Sequence, residues 1–409
     1  MTHRILSLDG GGAWALNEAL ALVDIYGPDT GGHEVLQKFD LVAANSGGSI
    51  VLGGLLADYR LKDILGLLLD EQDRRAIFQP TRHIADQVVT ATTEALSRLT
   101  DDVPPFGPRY SAERKLPAFE RIMREAGALP MDRVTESIPG PTGAPVRIII
   151  VGFDYFHKRT RLFRSHGMHS ATCGTGDASR VTLAQAIHAS TNAPVNYFDG
   201  PAVFPSPDHP GQQLTYWDGG ISGNNNPTLL AVTEALALGH APESLAVLSM
   251  GTGTVAYPPD DPARTTPFAP PRYDSLFRDL EKLARAILDD PPDQATFVSH
   301  VITSRALPEG GSRVIRVSPL VAPILSDGRW CAPNGMPPEE FLALRALDLD
   351  AIEPDEVALI HRYGQMWLQG LAPNQPIRMD GNLRTEVGHG DFPSAKAAWL
   401  ALTGNDLHS

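Results

Sequence analysis

The chain has 409 residues, 42% hydrophobic and 20% charged, which is ample for a large buried core. Its formal net charge of −14 repels nucleic acid and supplies no long-range attraction to anionic bilayers. Its two cysteines, Cys173 and Cys331, form no C-x-x-C pair, so a structural zinc site or redox motif has no support and a reducing compartment is expected.

The N-terminus runs straight into a strand with no leader pattern, and no apolar run is long enough to span a bilayer. A cytoplasmic protein is expected, with peripheral membrane contact left open. Arg4 to Leu8 predicts a short buried strand, followed at once by Asp9-Gly10-Gly11-Gly12. From Ala13 to Ile25 the residues favour helix, with Leu16, Leu20 and Val23 at helical spacing. Lys38 to Ala44 predicts a second buried strand, and Gly48 to Arg60 an apolar helix. Strand, glycine turn, helix, strand, sharp turn, helix is the order of a parallel sheet covered by helices.

A more polar helical insertion spans about 61–129, interrupted by Asp102 to Pro108. Val146 to Phe153 is the clearest central strand, Leu245 to Met250 is another, and Val314 to Val317 reads as a late one. A loop at about 257–273 contains six prolines. The helix after it carries Leu276, Leu280, Leu283 and Ile287 on one face, a stripe that fits core packing better than membrane contact. The expectation is a single large α/β domain over 1–385, a mainly parallel central sheet sandwiched by helices with helical and loop insertions. A C-terminal tail over 386–409 shows no convincing apolar period and is expected to fray.

Three motifs carry chemistry. Ala44-Asn45-Ser46-Gly47-Gly48 lies between a strand and a helix and matches G-x-S-x-G with Ala44 for the first glycine. A serine on such a strand-to-helix turn needs unusual backbone angles, and its neighbours two residues away, Ala44 and Gly48, must be small. Its hydroxyl then sits at a helix N-terminus, where free amides favour developing negative charge. Gly10, Gly11 and Gly12 expose backbone N–H groups suited to an oxyanion hole. A dinucleotide cradle is the rival, but no acidic residue ends the second strand and no P-loop lysine follows. Asp9 reads as a turn-fixing residue. The third motif is Trp217-Asp218-Gly219-Gly220, followed by Gly223-Asn224-Asn225-Asn226-Pro227. A carboxylate beside a serine hydroxyl can act as its base when its surroundings are partly dehydrated. A spatially assembled Ser-His-Asp triad stays open, because none of the 13 histidines lies in a motif that nominates it.

Together, and in this order, the three motifs resemble the patatin-like phospholipase family. Ala189-Ser190-Thr191-Asn192-Ala193-Pro194 and Leu248-Ser249-Met250-Gly251-Thr252-Gly253 add to the resemblance, which is good over about 4–255 and thinner beyond. It implies a Ser-Asp dyad on Ser46 and Asp218 and an oxyanion hole from Gly10, Gly11 and Gly12, to which Gly47 adds its amide. It also implies hydrolysis of lipid acyl esters through an acyl-serine, with no metal and no cofactor. Ala13-Trp14 departs from the arginine and glycine that often follow the family's glycine turn; core packing is the expected role of Trp14. An acyltransferase on the same dyad and a catalytically silent module of this fold are the alternatives. The expected partners are a lipid or other acyl-ester substrate and transient membrane or micelle contact, with no nucleic acid; any protein activator is unspecified.

Overall fold

The apolar runs expected as strands assemble into one sheet. The computed structural model describes residues 2–97, 107–170, 174–194, 196–259, 266–269, 293–308 and 310–404. Strands β1 (His3–Leu8), β2 (Leu41–Asn45), β3 (Arg147–Asp154), β4 (Arg159–Arg164), β5 (Ala202–Pro205), β6 (Gln213–Asp218), β7 (Leu245–Met250) and β8 (Val314–Val317) belong to it. Its order is β8-β7-β1-β2-β3-β6-β5, with β4 also paired to β3. The five strands from β8 to β3 are parallel, and β4, β5 and β6 join antiparallel.

Burial on both faces explains why the parallel strands read as unbroken apolar runs. Side chains alternate along each strand. Leu6, Leu8, Val42, Ala44, Ile148, Ile150, Leu248 and Met250 enter the larger core, and Ile5, Leu41, Ala43, Ile149, Leu245 and Val247 enter a smaller one. The larger core is completed by helices α1 (Leu16–Tyr26), α2 (Ser46–Leu56), α3 (Leu61–Leu69) and α7 (Leu183–Ser190), with α9 (Pro354–Leu368) and α10 (Phe392–Thr403). The smaller core is closed by α8 (Thr228–Ala237), through Ala231, Val232 and Ala235. The expected insertion is helical and includes α3, α4 (Glu71–Ile77), α5 (Ile84–Ser97) and α6 (Lys115–Ile122).

The junction that brings Ser46 and Asp218 together lies on one edge of β3. Leu41 to Asn45 pair with Arg147 to Val151 in parallel, and Asp218 pairs with Gly152, the next residue along β3, from the antiparallel strand β6. The opposite edge of β3 is held by β4 from Ile149 to Asp154. β2 and β6 therefore meet end to end, and the residue after Asn45 faces the end of β6.

The tail expected to fray is instead helix α10. Asp391 caps it by accepting from the Ser394 amide at 2.8 Å, and Phe392, Ala395, Trp399 and Thr403 are buried. Trp399 stacks on Phe39 at 5.9 Å between ring centroids and donates its indole N–H to the Tyr26 hydroxyl at 3.0 Å. Small alanines dilute the apolar stripe and hide its period. In the Pro-rich stretch, Phe268 is buried against Phe341. Residues 276–287 and Cys173 lie outside the described residues, and Cys331 is free and exposed. Among the described residues, no helix is long and apolar enough to cross a membrane.

Candidate active site

The strand β2 stops at Asn45, in extended conformation, and α2 begins at Ser46, whose φ of 45° lies in the left-handed region. The two glycines that follow are dictated by proximity. A Cβ on Gly48 would lie 2.6 Å from the Asp9 carbonyl oxygen, and one on Gly47 would lie 2.6 Å from that of Gly12. Gly48 donates to the Asp9 carbonyl at 3.0 Å, which locks the serine turn against the glycine turn. Ala44 is fully buried in the sheet, and Ser46 remains partly exposed. The Ser46 amide donates to Ser190 Oγ at 2.8 Å.

Asp218 ends β6 and is buried. Its Oδ1 accepts from the Gly220 amide at 2.8 Å and from Asn45 Nδ2 at 3.3 Å. The Ser46 hydroxyl faces the same carboxylate. Burial pushes the Asp218 pKa above the usual carboxylate range, opposed by Ser46, the Gly220 amide, the Lys115 charge and Asn45. Gly219 is pressed against Asn45 and Val151, leaving no room for a side chain. Among the described residues no imidazole hydrogen-bonds to Ser46 or Asp218.

Of the glycines expected to offer amides, Gly10 is a correction. Its N–H is taken by the Asn225 carbonyl at 2.8 Å. Gly10 serves by lacking a side chain, because a Cβ there would lie 2.9 Å from the Ser46 Cβ and overlap Asn225 Oδ1. The amides of Gly11, Gly12 and Gly47 meet no acceptor among the described residues. Beneath the turn, the Asp9 carboxylate pairs with the buried Arg316 at 2.7 Å, in keeping with a turn-fixing role. Burial raises the Asp9 pKa to about 6 against the pull of Arg316. Glu18 accepts from the Asp9 amide at 2.7 Å, and burial followed by the Asp9 charge pushes its own pKa well above normal.

Several contributors escape sequence reasoning. Asn45 links Asp218, Asn225 and Ser190, at 3.3, 3.4 and 3.4 Å. All four residues stand in stretches quoted as motifs or flanks, but nothing in the sequence assigns the bonds between them. The segment 348–352 comes from the far end of the chain. The Leu349 carbonyl accepts from the Ala13 amide at 2.9 Å and lies against Gly12. Trp14 is buried in the core, as expected, and donates to the Asp348 carbonyl at 3.1 Å. Tyr110 and Tyr197 donate to Asp350 and Asp348 at 2.6 Å each, and Arg109 pairs with Asp350 at 2.8 Å. An apolar cleft of about 30 Å³ opens beside Gly12, lined in part by Ile50, Leu68, Ile77, Phe78 and Ile122. Among the described residues, no three His, Cys, Asp or Glu side chains gather as a metal site.

A buried carboxylate at the end of β6, a serine on a strand-to-helix turn and unpaired glycine amides are brought together where β2, β6 and the glycine turn meet. The family model described as patatin-like phospholipase matches residues 6–232, more than half of the sequence. The chain belongs to the patatin-like phospholipase family. Among solved structures it is similar to VipD from Legionella pneumophila, at 12% identity and a TM-score of 0.31, covering 89% of this chain and 67% of that one. It is also similar to human GIVD cytosolic phospholipase A2 in complex with methyl gamma-linolenyl fluorophosphonate, at 10% identity and a TM-score of 0.43, covering 98% and 59%. The type III effector protein ExoU matches at 11% identity and a TM-score of 0.29, covering 89% and 53%. The chain thus spans roughly half to two thirds of the length of these proteins. No curated protein sequence matches it significantly.

Proposed function

We propose that the chain is a lipid acyl hydrolase of the phospholipase A or lysophospholipase type, with Ser46 as nucleophile and Asp218 as general base. The observation that carries this reading is the placement of Ser46, just past the end of β2, next to the buried Asp218 at the end of β6, where both strands meet on one edge of β3. Asp218 takes the hydroxyl proton as Ser46 Oγ forms a bond to the ester carbonyl carbon. The amides of Gly11, Gly12 and Gly47 hold the oxyanion, and the first carbons of the acyl chain enter the cleft beside Gly12. Collapse of the tetrahedral adduct breaks the ester C–O bond, and the departing alkoxide leaves as an alcohol with the proton from Asp218. Water then gives a proton to the same aspartate and attacks the acyl-serine. The acyl C–Oγ bond then breaks, Asp218 returns its proton to Ser46 Oγ, and the products are the carboxylic acid and free Ser46.

Ser46→Ala and Asp218→Asn variants, assayed on a p-nitrophenyl ester and on a lipid panel read by mass spectrometry, test this. Loss of at least roughly a thousandfold in kcat is expected from each, since both remove a member of one acting unit. Wild-type turnover in either variant would falsify the dyad. An alcohol acceptor in the same assay separates hydrolysis from acyl transfer, because a transferase yields a new ester in place of the free acid.

A further inference from the structure

The hairpin joining β3 to β4 runs against the charge of the chain. No acidic residue occurs between Asp154 and Asp177, a stretch that holds Lys158, Arg159, Arg161 and Arg164. Glu234 engages Arg164 at 2.6 Å, but Lys158, Arg159 and Arg161 are exposed and form no ion pair among the described residues. At the tip, Tyr155 and Phe156 are 47% and 69% exposed and meet edge to face at 5.3 Å between ring centroids. Two large aromatics held in water beside unpaired cations mark a contact surface rather than ordinary exterior. The tip is also held in shape. Asp154 accepts from the Lys158 amide through its carbonyl and from the His157 amide through its carboxylate, at 2.9 Å each, and Tyr155 donates its amide to the Thr215 carbonyl at 3.1 Å. Lys158 sits at a φ of 53°, where glycine or asparagine is the usual turn residue, so the turn carries a charge at some cost in strain.

The hairpin adjoins the candidate site. Gly152 pairs with Asp218 on one side and with Arg161 on the other, and Tyr155 follows three residues later, about 10 Å further along the strand. Thr160 accepts from Asn224 at 3.1 Å, and the neighbouring Asn225 carbonyl holds the Gly10 amide. We propose that this hairpin docks the protein on anionic phospholipid bilayers, with Tyr155 and Phe156 in the headgroup region and Lys158, Arg159 and Arg161 against the lipid phosphates. The proposal rests on the hydrolase reading above and names the surface from which its substrate is drawn. Aromatic rings favour the headgroup level, and each cation near an anionic surface strengthens partitioning about fivefold. Repulsion from the rest of the acidic chain is screened beyond about 8 Å at physiological salt, so the charges in contact decide binding and the others turn the remaining faces away.

The test is sedimentation of full-length Ser46→Ala protein with phosphatidylcholine vesicles, prepared with and without phosphatidylglycerol. Binding should be stronger on the anionic vesicles. On the same background, Lys158→Gln with Arg159→Gln should weaken it roughly 25-fold, two cations at about fivefold each, and Phe156→Ser should weaken it separately. Equal binding to both vesicles, binding to neither, or binding unchanged in the double variant overturns the proposal. A salt titration with the hairpin unaltered covers a substitution that disturbs the turn: binding should fall as salt rises, and salt-independent binding also refutes docking through these cations. Sedimentation needs no turnover. If ester hydrolysis proves independent of Ser46, the hydrolase reading fails, and the vesicle measurement still decides whether the hairpin docks.

Discussion

Ser46 holds a backbone angle that costs an L-residue about 1–2 kcal/mol. Ser46→Ala keeps the Cβ and therefore the strain, whereas Ser46→Gly relieves it and gives back part of the gain as extra freedom in the unfolded chain. The glycine variant is expected to be more stable than the alanine variant by roughly 0.5–1 kcal/mol, after offsetting strain relief against that freedom. Urea denaturation of the two variants reads this, and equal midpoints would mean that the turn stores no strain. The strain was legible in the sequence because it forces small neighbours, visible as Ala44, Gly47 and Gly48. Lys115 was not legible, since a lone lysine reads as surface until the fold buries it. Gly10 looked like a donor because a glycine signals either a free amide or a close approach, and only coordinates tell the two apart.

At the scale of elements, β2 and β3 were legible because burial on both faces writes unbroken apolar runs. The strand β6 was not: QLTYWD mixes polar and apolar residues, and only Tyr216 and its final aspartate are buried. Its pairing end to end with β2 along one edge of β3 is a non-local event that neither segment encodes alone. The helix α10 shows a comparable blind spot, with its apolar stripe reduced to two aromatics, Leu400 and a few small residues. Trp399→Ala should lose roughly 3–5 kcal/mol of unfolding free energy, the usual cost of deleting a large buried aromatic. Guanidinium denaturation checks this, and a loss below about 0.5 kcal/mol, within the range of an ordinary surface change, would place the helix outside the cooperative core.

Across the whole molecule, two buried acids under the glycine turn make stability depend on pH. Both Asp9 and Glu18 bind protons more tightly folded than unfolded. Their contribution is therefore fully present below the ordinary carboxylate range and is lost as pH rises, through about 6 for Asp9 and higher for Glu18. Melting temperature should fall between pH 5 and pH 8. Glu18→Gln keeps the oxygen that accepts from the Asp9 amide and removes the charge that burial opposes, so its curve should be flatter on the alkaline side. A parallel curve for the variant would show that Glu18 does not titrate with folding.

The family match ends at residue 232, yet β7 and β8 complete the sheet later in the sequence, and Leu349 braces Ala13 and Gly12. The ribosome has thus made the serine, the aspartate and all the glycines well before it makes the peptide that holds the glycines in shape. A nascent chain carries every reacting group from Asp218 until the 348–352 segment is made, with the turn unbraced. Under the proposed chemistry, competence to cleave an acyl ester arrives late, once the 348–352 segment has emerged and docked.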